Sequence, residues 1–275
     1  MVIKKAFFRL PVMAAIPLVF LAACGTAPVA SGVSDPNEGV NRRFHAFNKG
    51  VDRNVLRPVS YTYGHVPKPV RQGVSNFAEN LELPADVING VLQGRPGAAV
   101  QNTGRFLVNS TIGVLGLFDP ASRMGMPEKS TDFGETLYVW GTGEGPYVEN
   151  PLFGPSTQRD TFGKIVDTIT NPLNFLIETP ESTYVTVANG GEILNDRYTY
   201  GATIDDVLYD SADSYSQARL AYLQNRRFTL ERNAGGGTTG GDSGFIDPYA
   251  GETGAAATTS APADFIDPYE DANAQ

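Results

Sequence analysis

The sequence predicts a mainly α-helical protein, and three observations carry that reading. Apolar residues recur at steps of three and four through residues 40–55. Prolines stand where helices start or break, at Pro36, Pro84, Pro96, Pro172 and Pro180. The 275 residues contain 30 Gly and 19 Pro with only 19% charged residues, a composition rich in turns and helix ends but far from collagen-like. The net charge of −9 argues against nucleic-acid binding. One cysteine forms no intramolecular disulfide, and two histidines leave a zinc site short of ordinary ligands. No metal or cofactor is expected.

Residues 1–23 read as an export signal: Lys4, Lys5 and Arg9 precede the apolar run from Leu10 to Ala23. That run is too short, and too broken by Pro11 and Pro17, for a spanning helix of about 20 residues. It ends Leu21-Ala22-Ala23-Cys24, which resembles the bacterial lipobox and predicts acylation of Cys24 after cleavage. Acyl chains then hold the mature protein at a bilayer, each buried CH₂ contributing about 0.8 kcal/mol. Gly25 at the next position, by resemblance to bacterial lipoproteins, favours the outer membrane. Residues 24–34 are expected to form a lipidated, flexible tether.

The core is expected over residues 35–232. Asp35-Pro36 has the form of a helix N-cap followed by Pro at the first helical position. Val40, Phe44, Phe47, Val51 and Val55 then mark one apolar face, opposite Arg42, Arg43, Lys49 and Arg53. This basic side belongs either to an ordinary surface helix or to one meeting phosphate headgroups. Over residues 39–71 seven basic residues face one acid, Asp52. Two short helices are predicted at 69–80 and 85–94, separated by a turn and with Pro84 opening the second. Pro96 opens another, predicted to run to about Phe118. Its end, residues 106–118, is uncharged; thirteen helical residues reach only about 20 Å, short of the roughly 30 Å hydrocarbon core. Gly104, Gly113 and Gly116 would admit a close neighbour.

Residues 123–160 read as irregular, loop-rich backbone around Leu137-Tyr138-Val139-Trp140. Gly141-Thr142-Gly143-Glu144-Gly145 tempts a phosphate-loop reading but lacks the Lys-Ser/Thr such a loop needs. A close-packed structural loop is expected there. Further helices are predicted at 159–178, 180–189, 192–199 and 203–209. The last strong one runs from Asp213 to Arg232, its late arginines suiting the negative end of the helix dipole. Residues 233–275 hold seven acids, no Lys or Arg, and Phe-Ile-Asp-Pro-Tyr twice, at 245–249 and 265–269. That composition predicts a disordered acidic tail.

Catalytic constellations are missing. No Gly-x-Ser-x-Gly occurs, and neither His45 nor His65 lies near a nucleophile motif. Paired acids such as Glu79 with Glu82 are sequence neighbours, which is not a catalytic geometry. The expectation is a protein that is not an enzyme.

Several motifs in order carry a resemblance. Asp35-Pro36-x-Glu38-x-x-Asn41-Arg42-x-Phe44-x-x-Phe47-Asn48 opens the core, followed by Ser75-Asn76-Phe77-x-x-Asn80-Leu81-x-x-Pro84. Arg105-Phe106-x-x-Asn109-Ser110-x-Ile112-Gly113 comes next. Trp140-Gly141-x-Gly143-x-Gly145-Pro146-Tyr147 and Gly154-Pro155-Ser156-x-x-Arg159-Asp160 complete the set. From about Asp35 to Arg232 the chain resembles the MlaA (VacJ) family of outer-membrane lipoproteins. The resemblance implies a ring-like, monotopic helical protein in the inner leaflet of the outer membrane, with a central amphipathic channel. It implies removal of misplaced phospholipids from the outer leaflet and their delivery to a soluble periplasmic carrier, beside a trimeric porin. A porin-associated structural lipoprotein is the alternative. Candidate channel or lipid-contact residues are Arg42, Arg43, Phe47, Asn48, Arg105, Trp140, Gly141, Gly143, Gly145 and Tyr147.

Overall fold

A computed structural model describes Ala27, Ala30 and residues 32–173 and 181–235. Cys24, the signal segment 1–23 and the tail with its two pentapeptides lie outside the described residues.

The chain enters α1 (Glu38–Val51), passes through a π-helical stretch (Asp52–Leu56) and continues as α2 (Arg57–Tyr63). The junctions stay right-handed helical, so the three form one continuous rod. Pro58 has no N–H to give the carbonyl four residues back. Just ahead of it the ladder widens, and the Arg57 N–H bonds the Asp52 carbonyl five residues earlier. The expected N-cap is displaced: Asn37, not Asp35, caps α1. Asp35 turns inward instead, accepting from Asn41 Nδ2 at 2.8 Å, Arg219 Nη1 at 2.6 Å and the Tyr215 hydroxyl. A charge-assisted bond to arginine outweighs a capping bond to an amide.

α3 (Lys68–Leu92) corrects the predicted helix–turn–helix: it is one 25-residue helix with Pro84 inside. An internal proline costs about 3 kcal/mol, and burial around it compensates. Asn80, Leu83 and Asp86 are all buried, because α3 packs on α4 (Pro96–Thr111) and on α8 (Glu181–Thr199). α4 opens at Pro96 as expected but stops at Thr111 rather than near Phe118. Val114, Leu115 and Gly116 then adopt left-handed φ values of 54°, 59° and 94°. A Cβ on Gly116 would stand 2.5 Å from the Asn80 Cβ, so this turn lies hard against α3. Gly116 thus serves the close approach that its glycine suggested.

Residues 123–160 are more regular than their composition suggested. α5 (Pro120–Arg123) and α6 (Phe133–Val139) are capped by Asp119 and Asp132, each accepting from an N–H three residues on. A hairpin of β1 (Tyr147–Asn150) and β2 (Gly154–Thr157) follows, Tyr147 opposite Thr157. Leu152 and Gly154, with φ of 67° and 72°, turn the chain between them. α7 (Gln158–Thr170) stops at the break marked by Asn171-Pro172, short of the predicted end at 178. α8 is a single helix where two were expected. Gly190 and Gly191 lie within it, and a Cβ on Gly191 would sit 2.6 Å from Val74 Cγ1. Glycine here serves contact with α3 rather than a break. α9 (Gly201–Asp205), a second π-helical stretch (Asp206–Asp210) and α10 (Ser214–Asn233) complete the fold. Asp213 caps α10 through the Ser216 N–H, matching the prediction.

The described part of the expected tether is docked, not free. Ala27 is buried against Tyr138 and Leu230, and its N–H bonds the Tyr138 carbonyl at 2.9 Å. The Gly32 carbonyl accepts from Arg227 and the Ser34 carbonyl from the Tyr147 N–H.

Burial is inverted relative to a water-soluble domain. Among the described residues, twelve hydrophobic and twenty-one polar or charged residues are buried, while thirty large hydrophobics are exposed. On α1 the inward residues are Asn41 and His45; Val40, Phe44 and Phe47 face out. Single exposed apolar residues are ordinary, but a whole exterior of them is not. No helix among the described residues is long and apolar enough to cross a membrane.

Candidate functional site

Ion pairs, rather than an apolar core, hold the helices together. Arg197 of α8 donates to Asp52 at 2.6 and 2.9 Å and to Asp205 at 2.6 Å, joining the first π-helical stretch to the end of α9. Burial alone would raise the Asp52 pKa, yet the Arg197 and Tyr209 hydrogen bonds outweigh it and hold the carboxyl below its ordinary 3.8. Arg226 of α10 forks onto Asp132 at 2.8 Å and reaches Asp160 at 3.0 Å. Arg227 binds Glu144, and Arg219 binds Asp35. The late arginines of α10 are therefore cross-chain anchors, which corrects their reading as helix-dipole partners.

Inside this frame lies an acid-lined concavity. Glu79, Glu82 and Asp86 occupy positions i, i+3 and i+7 of α3, one helical stripe. Glu192 and Asp196 form an i, i+4 pair on α8; Glu128 acts on Glu82 and Glu192, and Asp167 on Glu82. A cavity of about 250 Å³ is lined by Glu82, Asp86, Asn89, Thr131, Asp132 and Asp167. Burial, then repulsion from neighbouring carboxylates, pushes Asp86 up to about 8 and Glu79 and Glu192 up to about 7. Glu82, Glu128 and Asp167 are raised chiefly by burial as well. Glu82 is nonetheless solvent-exposed: water reaches this wall through a confined space.

Two residues set this wall. Asp86 is 5% exposed; its Oδ1 accepts the Thr131 N–H at 3.2 Å, and its Oδ2 has no hydrogen-bond partner. Asn89 beside it donates to Asp167 at 2.9 Å and accepts from the Thr136 hydroxyl. The sequence reading missed these acids because dividing the helix at Pro84 hid the stripe. The spacing of Glu79, Glu82 and Asp86 on an unbroken helix was the available signal.

The sequence-predicted residues divide. Arg42 pairs with Asp213 at 2.8 Å and Glu38 at 2.7 Å on an exposed face, holding Asp213 well below the usual carboxylate range. Arg43 and Phe47 are exposed on α1. Asn48 donates to Glu149 and to the Asn150 carbonyl, and accepts the Leu152 N–H, so it fastens the hairpin to α1. Arg105 is 3% exposed and bonds Ser122, the Met126 carbonyl and Asp119. Tyr147 is 1% exposed, its hydroxyl on Glu149 and its ring edge-on to Tyr215. Neither Arg105 nor Tyr147 faces an open surface; both brace the interior. Trp140 donates from Nε1 to the Leu92 carbonyl at 3.0 Å. Gly141 and Gly145 adopt φ of 87° and 69°, and Gly143 is exposed beside them. This loop follows the C-terminus of α6, the negative end of a helix dipole, which is the wrong end for a phosphate.

An apolar exterior around an ion-paired, acid-lined interior defines a protein built to rest against lipid while enclosing a polar space. The family model "MlaA lipoprotein" matches residues 33–229. The chain belongs to the MlaA lipoprotein family. It is 35% identical over 219 residues to the "Intermembrane phospholipid transport system lipoprotein MlaA" of Escherichia coli, covering 77% of this chain and 83% of that one. To the Haemophilus influenzae protein of the same description it is 30% identical over 225 residues, covering 79% and 88%. A solved structure described as "Structural basis for maintenance of bacterial outer membrane lipid asymmetry" superposes with a TM-score of 0.61 at 35% identity. The match covers 72% of this chain and 99% of that one.

Proposed function

We propose that this protein acts in phospholipid transport between membranes, withdrawing misplaced phospholipids from the outer leaflet of the outer membrane. The observation that carries the reading is the inverted burial: apolar side chains outside, carboxylates and ion pairs inside. A headgroup crossing hydrocarbon unaided must bury its charge unpaired, at a cost of many kcal/mol. A polar concavity bounded by helices with apolar outer faces gives the headgroup partners and water while the acyl tails stay in contact with apolar surface. No covalent bond changes, so the protein works as a conduit and not as an enzyme. Acylated Cys24 anchors it from the periplasmic side, and the exposed Arg43 and Phe47 of α1 meet lipid or headgroups. A soluble periplasmic carrier receives the lipid, and a trimeric porin stands beside the protein.

The test is surface-exposed phospholipid in a deletion strain complemented with wild type, Cys24→Ala or Phe118→Asp. Phe118 is 65% exposed in the apolar turn after α4. We expect accumulation cured by wild type and by neither variant. A deletion strain without surface phospholipid would refute lipid removal and leave a porin-associated structural role.

A further inference from the structure

From the acids of α3, α7 and the α6 cap that line one cavity, and the unpartnered, buried Asp86 oxygen among them, we infer that the interior admits phospholipids by a primary ammonium on the headgroup. It therefore selects phosphoethanolamine-type lipids over anionic phosphoglycerol-type ones. The inference rests on the phospholipid-transport reading and adds the headgroup class.

The charge balance around the cavity is one-sided. Glu82 and Asp86 line it from α3, Asp132 from the N-cap of α6 and Asp167 from α7, with Glu128 adding its charge from the segment before α6. Three cations approach from the other elements, and two are already engaged. Arg105 of α4 lies 3.4 Å from Asp119 and 3.7 Å from Glu128, and Arg226 of α10 is bound to Asp132 and Asp160. Lys164 of α7 is the third; its nearest charges are Asp160, Asp132 and Arg226, and burial weakens its hold on a proton. A phosphate leading into this space meets carboxylates and finds two of its three cationic partners occupied. An ammonium meets acceptors instead.

Asp86 gives the cluster direction. A carboxylate oxygen this deeply buried without a hydrogen bond is costly to keep, yet it lines a cavity of about 250 Å³ large enough for an aminoethyl group. Among the described residues no three Asp, Glu, His or Cys converge tightly enough to hold a metal ion. The acids are spread over α3, the α6 cap and α7, which suits a moving organic cation better than a fixed divalent one. Empty, the acids repel one another and retain protons near neutrality; an entering ammonium replaces those protons. Preference for the ammonium lipid should therefore strengthen from pH 6 to pH 9.

The test is competitive binding of phosphatidylethanolamine and phosphatidylglycerol, equimolar in detergent, to the full acylated protein, with bound lipid read by native mass spectrometry. We expect about tenfold preference for phosphatidylethanolamine, falling towards equality in Asp86→Asn and in Asp167→Asn. The second variant sits on a different helix and guards against misfolding of the first. Equal binding of both lipids, or preference for phosphatidylglycerol, by wild type overturns the headgroup selection and leaves lipid transport standing. Failure to bind either lipid overturns both.

Discussion

Replacing Asp86 by Asn should stabilise the protein at alkaline pH and leave it unchanged in acid. Asn keeps an oxygen for the Thr131 N–H, bonded at 3.2 Å to Oδ1 in the native protein, and removes the charge from the unpartnered side. The native carboxyl is pushed from 3.8 to about 8, first by burial and then by Glu128, Glu82 and Asp132 against the Thr131 bond. Between those values the folded protein holds a proton that the unfolded chain has released. The unfolded state then binds fewer protons, so native stability falls as pH rises through the window. At about 1.4 kcal/mol per pH unit the full gap corresponds to a ceiling of roughly 6 kcal/mol. Exposed Glu82 shows that water reaches this wall, which screens the charge and brings the expected gain to about 2–4 kcal/mol at pH 9. For a protein of this size that is a rise in Tm of about 5–15 °C. Thermal unfolding of wild type and variant in detergent at pH 4, 6.5 and 9 reads the difference directly. Equal loss of stability by the variant at pH 4 and pH 9 would refute the argument, because the second carboxylate oxygen would then have a partner that stabilises the fold.

Arg197→Met should behave in the opposite sense. It strands the 6%-exposed Asp52 in its π-helical turn, at a cost of about 3–5 kcal/mol at pH 7 in denaturant unfolding. Because the folded Asp52 pKa is depressed, the stability it adds is full above 3.8 and disappears as pH falls through the folded value. The variant should lack that acid step. Gly116→Ala should cost about 2–4 kcal/mol, from φ of +94° and a Cβ 2.5 Å from Asn80. Gly125→Ala, with φ of +80° but open space around it, isolates the backbone contribution at about 1 kcal/mol; similar losses for both would remove the packing claim.

The helical class, the start of α4 at Pro96 and the whole of α10 were legible because caps and periodicity act locally. Asp213, for instance, caps α10 through its neighbour Ser216. The elements that eluded the sequence are those where contacts distant in the chain override local signals. Pro84 reads as a helix start, but buried Asn80 and Leu83 carry the helix through it. Gly190-Gly191 reads as a break, but Val74 needs that space. Of the candidate site, the exposed Arg43 and Phe47 and the strained 141–147 loop were visible as patterns. Arg105 and Tyr147 were expected at the channel or lipid; the structure buries both as braces, with partners 14 to 21 residues away for Arg105. The acid stripe needed an unbroken α3 before its spacing had meaning.

The polar interior follows from the apolar exterior. Where helices pack in contact with hydrocarbon, the driving force that pushes apolar side chains together in water is absent, and association must come from close packing and hydrogen bonds. That accounts for an interior built of Arg197–Asp52, Arg226–Asp132 and Arg227–Glu144. In water, replacing such pairs by hydrophobic residues is often neutral or stabilising, so their use here marks a constraint beyond stability. A cavity that must stay wet cannot be sealed with leucine. Ion pairs fix the wall in place and leave the space open. The unneutralised acids of α3 that line the cavity are then the part of the interior that the frame does not consume, and that surplus is what a cationic headgroup would meet first.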